Sequence, residues 1–207
     1  MGQPLYPHLV QPFGVYETNC YIVQTPQGEL IIDPGMGSAR WILESTQNPL
    51  AILITHGHFD HIFDVAILKE NLKDVPIYCP KDDSFMCESD CFDTGLTPFV
   101  PDVLVACNRS REDFVLQGIA FSYLHFPGHT PGCSIVLIGD RIYSGDFIFK
   151  RSIGRYDFPY SSQQDMKDSL LRFQNLEVEN LEIFPGHGAS TYLAYEQNNV
   201  GLWISRL

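Results

Sequence analysis

The apolar run Ala51-Ile52-Leu53-Ile54-Thr55 leads directly into His56-Gly57-His58-Phe59-Asp60-His61. No other stretch limits the folds open to the chain as much as this junction. A short, partly β-branched run of this kind predicts a buried strand. Four metal-binding side chains within the next six residues have no common structural use. A solvated polar turn is the only other way to accommodate them, and it fits poorly after a buried strand. Strand followed by histidines puts the imidazoles at the carboxyl end of a sheet strand, where α/β proteins build their sites.

The chain has 207 residues, of which 44% are hydrophobic, enough for one sizeable core, and it is read as a single domain. A formal charge of -12 argues against nucleic-acid and anionic-membrane partners, both of which need a basic surface. Met1 to Val10 lacks the charged start and apolar run of a signal peptide. No stretch approaches the roughly 18 to 20 apolar residues of a membrane span, so a soluble, cytoplasmic protein is expected. Cysteines 20, 79, 87, 91, 107 and 133 form no paired framework and are expected to be free thiols. Cys87 and Cys91 could share a helical face, yet no second Cys/His pair is near enough to complete a zinc knuckle.

Asn19–Gln24 and Glu29–Asp33 flank Thr25-Pro26-Gln27-Gly28 and predict a hairpin. Ser38 is positioned to cap a helix carrying Ala39, Ile42, Leu43 and Thr46, which Asn48-Pro49 ends. Ile62, Val65, Ala66 and Lys69 mark a second helix, and Pro76–Cys79 a further strand, giving an α/β layer pattern. Residues 81–111 change character, with acids, prolines and the aromatics Phe85, Phe92 and Phe99; they read as a surface insertion or as a lid over the histidines. Strands resume at 113–116, 119–126, 134–138 and 141–144 as an antiparallel meander. Ser161 or Ser162, with Gln164 or Asp165 three residues on, fits a capping box for a helix with Met166, Leu170, Phe173 and Leu176 on one face. A last strand at 181–184 and a final helix at 190–198 complete the pattern.

Three further strand-like runs end in a potential ligand among glycines: Phe126-Pro-Gly-His129-Thr-Pro-Gly132, Tyr143-Ser-Gly-Asp146 and Phe184-Pro-Gly-His187-Gly188. Glycine permits tight turns and close backbone approach, so such a loop can aim its ligand inward. With HGHFDH, PGHTPG, SGD and PGHG in this order, the chain from Asn19 to Asn199 resembles the metallo-β-lactamase fold superfamily. Within it, the resemblance is to glyoxalase-II-like hydrolases, specifically the small single-domain hydroxyacylglutathione hydrolase type. The implied fold is α/β, a four-layer αβ/βα sandwich with the site at the edge between two sheets. Carried over onto matching positions, the resemblance implies that His56, His58 and His129 bind one metal and that Asp60, His61 and His187 bind a second. Asp146 would bridge both, together with a hydroxide, which makes Asp60 and Asp146 the catalytic carboxylates. The implied cofactors are two divalent ions; nitrogen and oxygen donors suit zinc first, and also iron or manganese.

The activity so implied is hydrolysis of a small acyl thioester by the bridging hydroxide. A thiolate, whose conjugate acid has a pKa of roughly 8.5, leaves with little help from a general acid. The alternative is a persulfide dioxygenase of the same fold, using one iron held by His56, His58 and Asp146. Cys133 stands where many glyoxalase-II-like proteins have a further histidine, and it reads as a small residue opening a buried strand. His8 and His125 lie outside the motifs and read as structural. Glutathione-specific relatives add a C-terminal helical domain that shapes the glutathione pocket, and this chain is expected to be closer to the small, single-domain relatives. The segment Phe147–Pro159 resembles the GRxDFP stretch of the small relatives. It makes Arg155, Lys150 and Tyr156 candidates for holding an anionic substrate group, although Arg155 could instead satisfy local acids such as Asp157.

Overall fold

The computed structural model describes residues 4–108 and 110–207. Met1–Gln3 of the N-terminal reading and Arg109 of the 81–111 stretch lie outside them. The first half of the chain builds a six-stranded sheet from β1 (His8–Phe13), β2 (Thr18–Thr25), β3 (Gly28–Ile32), β4 (Pro49–Leu53), β5 (Ile77–Pro80) and β6 (Val103–Val105), in sequential order. The second half builds another from β7 (Arg111–Leu116), β8 (Ile119–His125), β9 (Ser134–Ile138), β10 (Arg141–Gly145), β13 (Glu182–Pro185) and β14 (Thr191–Tyr192), in the order β14-β13-β10-β9-β8-β7. A small hairpin, β11 (Ile148–Phe149) with β12 (Ser152–Ile153), interrupts the second sheet's sequence. The helices are α1 (Ala39–Ser45), α2 (Phe59–Ile62), α3 (Val65–Asn71), α4 (Ser84–Glu88), α5 (Gln163–Gln174), α6 (Leu193–Gln197) and α7 (Val200–Ile204).

The layers follow from alternation along strands buried on both faces. Tyr21, Val23, Leu30, Ile32, Ala51 and Leu53 point at the other sheet, where Phe121, Tyr123, Val136 and Tyr143 meet them. Their neighbours Cys20, Ile22, Ile31, Ile52 and Ile54 point outward onto Ile42 of α1 and Val65 and Leu68 of α3. On the far side, Leu124, Ile135 and Ile142 pack against Met166, Leu170 and Phe173 of α5 and Trp203 of α7. These three cores define the four-layer αβ/βα sandwich, an α/β fold of the metallo-β-lactamase type. No described helix is long and apolar enough to cross a membrane.

The expected hairpin, meander and α5 are present, and the Ser162 side chain accepts a hydrogen bond from Asp165 N at the start of α5. Other details differ. Ser38 does not cap α1, because its own backbone is already helical (φ -81°, ψ -23°) instead of extended. Asp64 Oδ2 accepts from Ala39 N at 2.7 Å in its place, and Asp64 is also where the expected second helix divides into α2 and α3. The expected helix at 190–198 begins instead as β14, since Thr191 and Tyr192 pair with Ile183 and Glu182 before α6 starts. Within 81–111 a 3-10 turn (Lys81–Asp83) and α4 are followed by Leu96 and Phe99, which are buried in the outer core, and then by β6. All six cysteines are free.

Candidate metal centre

The motif histidines sit where β4, β8, β10 and β13 end, at one edge of the sandwich. His56, Gly57 and His58 follow β4, with His58 in extended backbone, and Asp60 and His61 ride on α2. His129 comes from the loop between β8 and β9, Asp146 directly follows β10, and His187 lies just beyond β13. Asn19, at the start of β2, fixes the last of these loops: its backbone N donates to Gly186 O, and its side-chain amide donates to Pro185 O and Gly188 O.

These loops bring the sequence-predicted side chains together in two overlapping groups. The ligand atoms of His56, His58 and His129 lie within 4.8 Å of one another, and so do those of Asp60, His61 and His187. Asp146 stands between the groups, with Oδ1 3.2 Å from His61 Nε2 and Oδ2 3.5 Å from His129 Nε2 and 3.4 Å from His187 Nε2. Asp60 Oδ2 is 3.5 Å from His61 Nε2 and 3.4 Å from His187 Nε2.

The donor set fits cations. His56 Nε2, His61 Nε2 and Asp146 Oδ1 are buried and make no hydrogen bond of good geometry among the described residues, although His61 Nε2 and Asp146 Oδ1 stand 3.2 Å apart. Buried polar atoms are normally paired, so a cluster of unpaired ones converging on one place calls for a ligand. His58 Nδ1 and His129 Nε2 face each other at 2.9 Å, a spacing at which two lone pairs can share one ion.

In four of the five histidines the opposite ring atom is held by an outer partner, which fixes that imidazole's orientation. His56 Nδ1 meets Thr55 Oγ1 at 3.1 Å, His61 Nδ1 meets Asp33 Oδ2 at 2.9 Å, His129 Nδ1 meets Arg155 O at 2.7 Å and His187 Nδ1 meets Tyr16 O at 2.9 Å. Thr18 Oγ1 donates to Asp60 Oδ2 at 2.7 Å. Asp33 also lies within ligand distance of His56 and His61, but its oxygens already accept from Thr55 N, from Thr55 Oγ1 and face His61 Nδ1. It is therefore an outer partner, held at φ 50° in a left-handed conformation that aspartate tolerates better than most residues. Sequence reasoning passed over Tyr16, Thr18, Asp33 and Thr55 as site residues. Only Asp33 carried a signal, as the residue before Pro34-Gly35 at the end of a strand.

Above the clusters lies a cleft of about 290 Å³ lined by Tyr16, His58, Phe59, Asp60, Phe92, His129, Asp146, Phe158, Pro159 and His187. Its walls are aromatic: Phe92 and Phe158 approach the His58 ring at 5.4 and 6.0 Å between centroids, and Tyr16 packs on Phe59. The 81–111 stretch thus contributes Phe92 to the wall.

The three candidate anion-binding residues lie outside this cleft. Lys150 is exposed in the turn of the β11–β12 hairpin. Tyr156 turns toward the C-terminal helices, where its hydroxyl meets Arg206 O at 3.4 Å. The Arg155 guanidinium makes a two-pronged pair with Asp157 and stacks 4.1 Å from the Phe158 ring centroid. His8 and His125 are structural, bonded to Tyr143 OH and Pro131 O respectively. Cys133 is buried immediately before β9.

Comparison with known proteins agrees with this geometry. The family model described as the metallo-beta-lactamase superfamily matches residues 13–187. A Haemophilus influenzae protein described as hydroxyacylglutathione hydrolase GloC is 30% identical over 203 residues, which cover 91% of this chain and 93% of that one. Among solved structures, TTHA1623 in a di-iron-bound form is 34% identical with a TM-score of 0.73, over 91% of this chain and 96% of that one. The B3 metallo-beta-lactamase BLEG-1 is 26% identical with a TM-score of 0.81, over 93% and 97%.

Proposed function

Because this chain belongs to the metallo-β-lactamase superfamily, we propose that it is a binuclear metal-dependent hydrolase of small acyl thioesters. One observation carries the reading: two three-ligand groups share Asp146 beneath an aromatic cleft. His56, His58 and His129 would hold one ion and Asp60, His61 and His187 the other, with zinc the first expectation and iron or manganese also suited to the donors. The second group has its own outer partners in Thr18, Asp33 and Tyr16, which argues for two ions over one. When bound, such ions supply a hydroxide near neutral pH and polarise a carbonyl.

The remaining work falls to the chain's own residues. Asp146 touches histidines of both groups and so fixes their spacing. Phe59, Phe92 and Phe158 exclude water from an acyl chain laid along the cleft. Of the ten residues lining the cleft, four are apolar and five are candidate ligands, which leaves the Tyr16 hydroxyl as the one proton donor outside the ligand set. A leaving group that departs without protonation is therefore favoured, and a thiolate meets that condition better than an alkoxide or an amine. The likeness to a protein described as a hydroxyacylglutathione hydrolase supports the same class. Arg155, stacked on Phe158 of the cleft wall, is the candidate for an anionic group at the substrate's far end.

The test is elemental analysis of the purified protein coupled to a thioester panel that includes lactoylglutathione. Two ions per chain and release of free thiol are expected. One iron per chain, with oxygen uptake on a glutathione persulfide and no thiol release, would replace the hydrolase by the dioxygenase.

A further inference from the structure

Gly57, Thr130 and Gly132 recur inside the ligand motifs without being ligands, and the structure gives all three the same partner. Asp83, in the 3-10 turn Lys81–Asp83, is fully buried and comes from neither motif. Its Oδ2 accepts from Gly57 N at 2.8 Å and from Thr130 Oγ1 at 2.6 Å, and its Oδ1 accepts from Gly132 N at 2.6 Å. The two loops it joins carry His56 and His58 on one side and His129 on the other. The glycines are what admit it. A Cβ at Gly132 would lie 2.7 Å from Asp83 Cγ, and one at Gly57 would lie 2.9 Å from Asp83 O and from Met86 Cβ.

We propose that Asp83 is a positioning residue for the His56, His58 and His129 cluster, holding its two loops at the separation at which the three imidazoles converge on one ion. The inference rests on the reading that this cluster holds a metal. Its logic is geometric. Three short hydrogen bonds to one carboxylate leave the loops little freedom to slide, and the 2.9 Å approach of His58 Nδ1 to His129 Nε2 spans the same gap. The Asp60, His61 and His187 group makes no such bond to Asp83; Thr18, Asp33 and Tyr16 hold it instead. The effect of removing Asp83 should therefore be confined to one of the two clusters. A partner that orients ligands in this way is typically worth about 10- to 100-fold in metal affinity.

The experiment compares the parent protein with Asp83→Asn and Thr130→Val, the second a mild change that removes a single donor. Metal-free protein is titrated with cobalt(II) against a chelator. The two clusters are distinguished by the hyperfine-shifted ring N–H resonances of His129 and His187, and melting of the metal-free forms checks the fold. The expected result is cobalt binding at the His129 cluster weakened at least about tenfold in Asp83→Asn, and by less in Thr130→Val. The His129 resonance should shift while that of His187 stays in place, with metal-free melting of Thr130→Val close to that of the parent. Parent-like affinities and resonances in both variants would overturn the proposal. So would equal weakening of both clusters in step with a lowered melting temperature, which would mark Asp83 as a general support of the fold. A parent protein that takes up no cobalt would refute the metal reading itself, and this inference with it.

Discussion

The two ligand clusters sit at the same edge of the sandwich and share Asp146, yet they balance their charge in opposite ways. In the His56, His58 and His129 group burial dominates. It pushes His56 well below the ordinary histidine value, with His61 adding to the effect, and takes His58 down to about 3 with His129 contributing; His129 is lowered as well. Three neutral imidazoles result. In the Asp60, His61 and His187 group burial acts in the same direction, but the carboxylates win. Asp146 and Asp60 hold His61 well above the ordinary value and bring His187 up to about 9. Asp146 itself is held low despite its burial, chiefly by His61 and His187. One cluster is thus ready for a cation, and the other occupies itself with internal ion pairs until protons leave. The same two-sheet edge can build both because the second cluster is more open, with the His187 side chain 28% exposed and that of Asp60 16%.

The largest test of this contrast is Asp146→Ala, since Asp146 stands between the two groups and approaches histidines of both. Its loss removes the proposed shared ligand and leaves His61 and His187 without a main counter-charge. Thioester hydrolysis should fall by more than the roughly hundredfold ceiling typical of outer partners, with metal content reduced at both clusters by elemental analysis. Retention of one full equivalent of metal together with parent-like turnover would show that the clusters are independent of Asp146.

A smaller effect is expected from pH, and its size differs between the clusters. Ligands must be deprotonated to bind a metal. At neutral pH, His58 at about 3 releases nothing, whereas His187 at about 9 must lose its proton. Affinity at the second cluster should therefore fall about tenfold per pH unit for each displaced proton as pH drops below about 9, while the first cluster changes little. Calorimetric titration in buffers of different ionisation enthalpy counts the released protons directly. Equal release at both steps would abolish the contrast. The metal-free fold provides a second reading of the same shift. His187 has a folded value near 9 against an ordinary 6.5, so the stability it contributes is complete below about 6.5 and lost as pH rises through about 9. Thermal melting of the metal-free protein across that window should follow this loss.

How far the sequence revealed this site depends on the distance along the chain over which each part acts. The clustering of the candidate ligands was legible because His56 to His61 lie within six residues after one strand, and His129, Asp146 and His187 each stand beside glycines after a strand. The sheets were legible wherever alternation was regular, as in β2, β3 and the β7–β10 meander. The strands β1, β6, β11 and β12 were not, since pairing with neighbours defines them more than their own pattern does. The outer partners escaped for the same reason. Thr18 meets Asp60 across 42 residues, Asp83 meets Thr130 across 47 and Tyr16 O meets His187 across 171, and no local spacing encodes such contacts. Ser38 shows the converse: its residue type matched a cap, but Asp64 supplied the hydrogen bond from 25 residues away.

The smallest predicted effect separates two jobs within one residue. The Arg155 carbonyl oxygen faces His129 Nδ1 at 2.7 Å and belongs to the neutral cluster, while its guanidinium lies outside, paired with Asp157 and stacked on Phe158. Arg155→Ala deletes the second and keeps the first. Metal content and kcat should therefore stay at the parent level, while KM for an anionic thioester rises a few-fold, as expected for the loss of uniform binding. An exposed charge at a rim acts through screened attraction. The parent's KM should consequently increase with added salt, and that of the variant should be nearly insensitive to it. If Arg155→Ala instead lowers kcat and metal content with KM unchanged, the guanidinium stack is what keeps the carbonyl on His129. Arg155 would then belong wholly to the neutral cluster, and the substrate's charge would have to be met elsewhere.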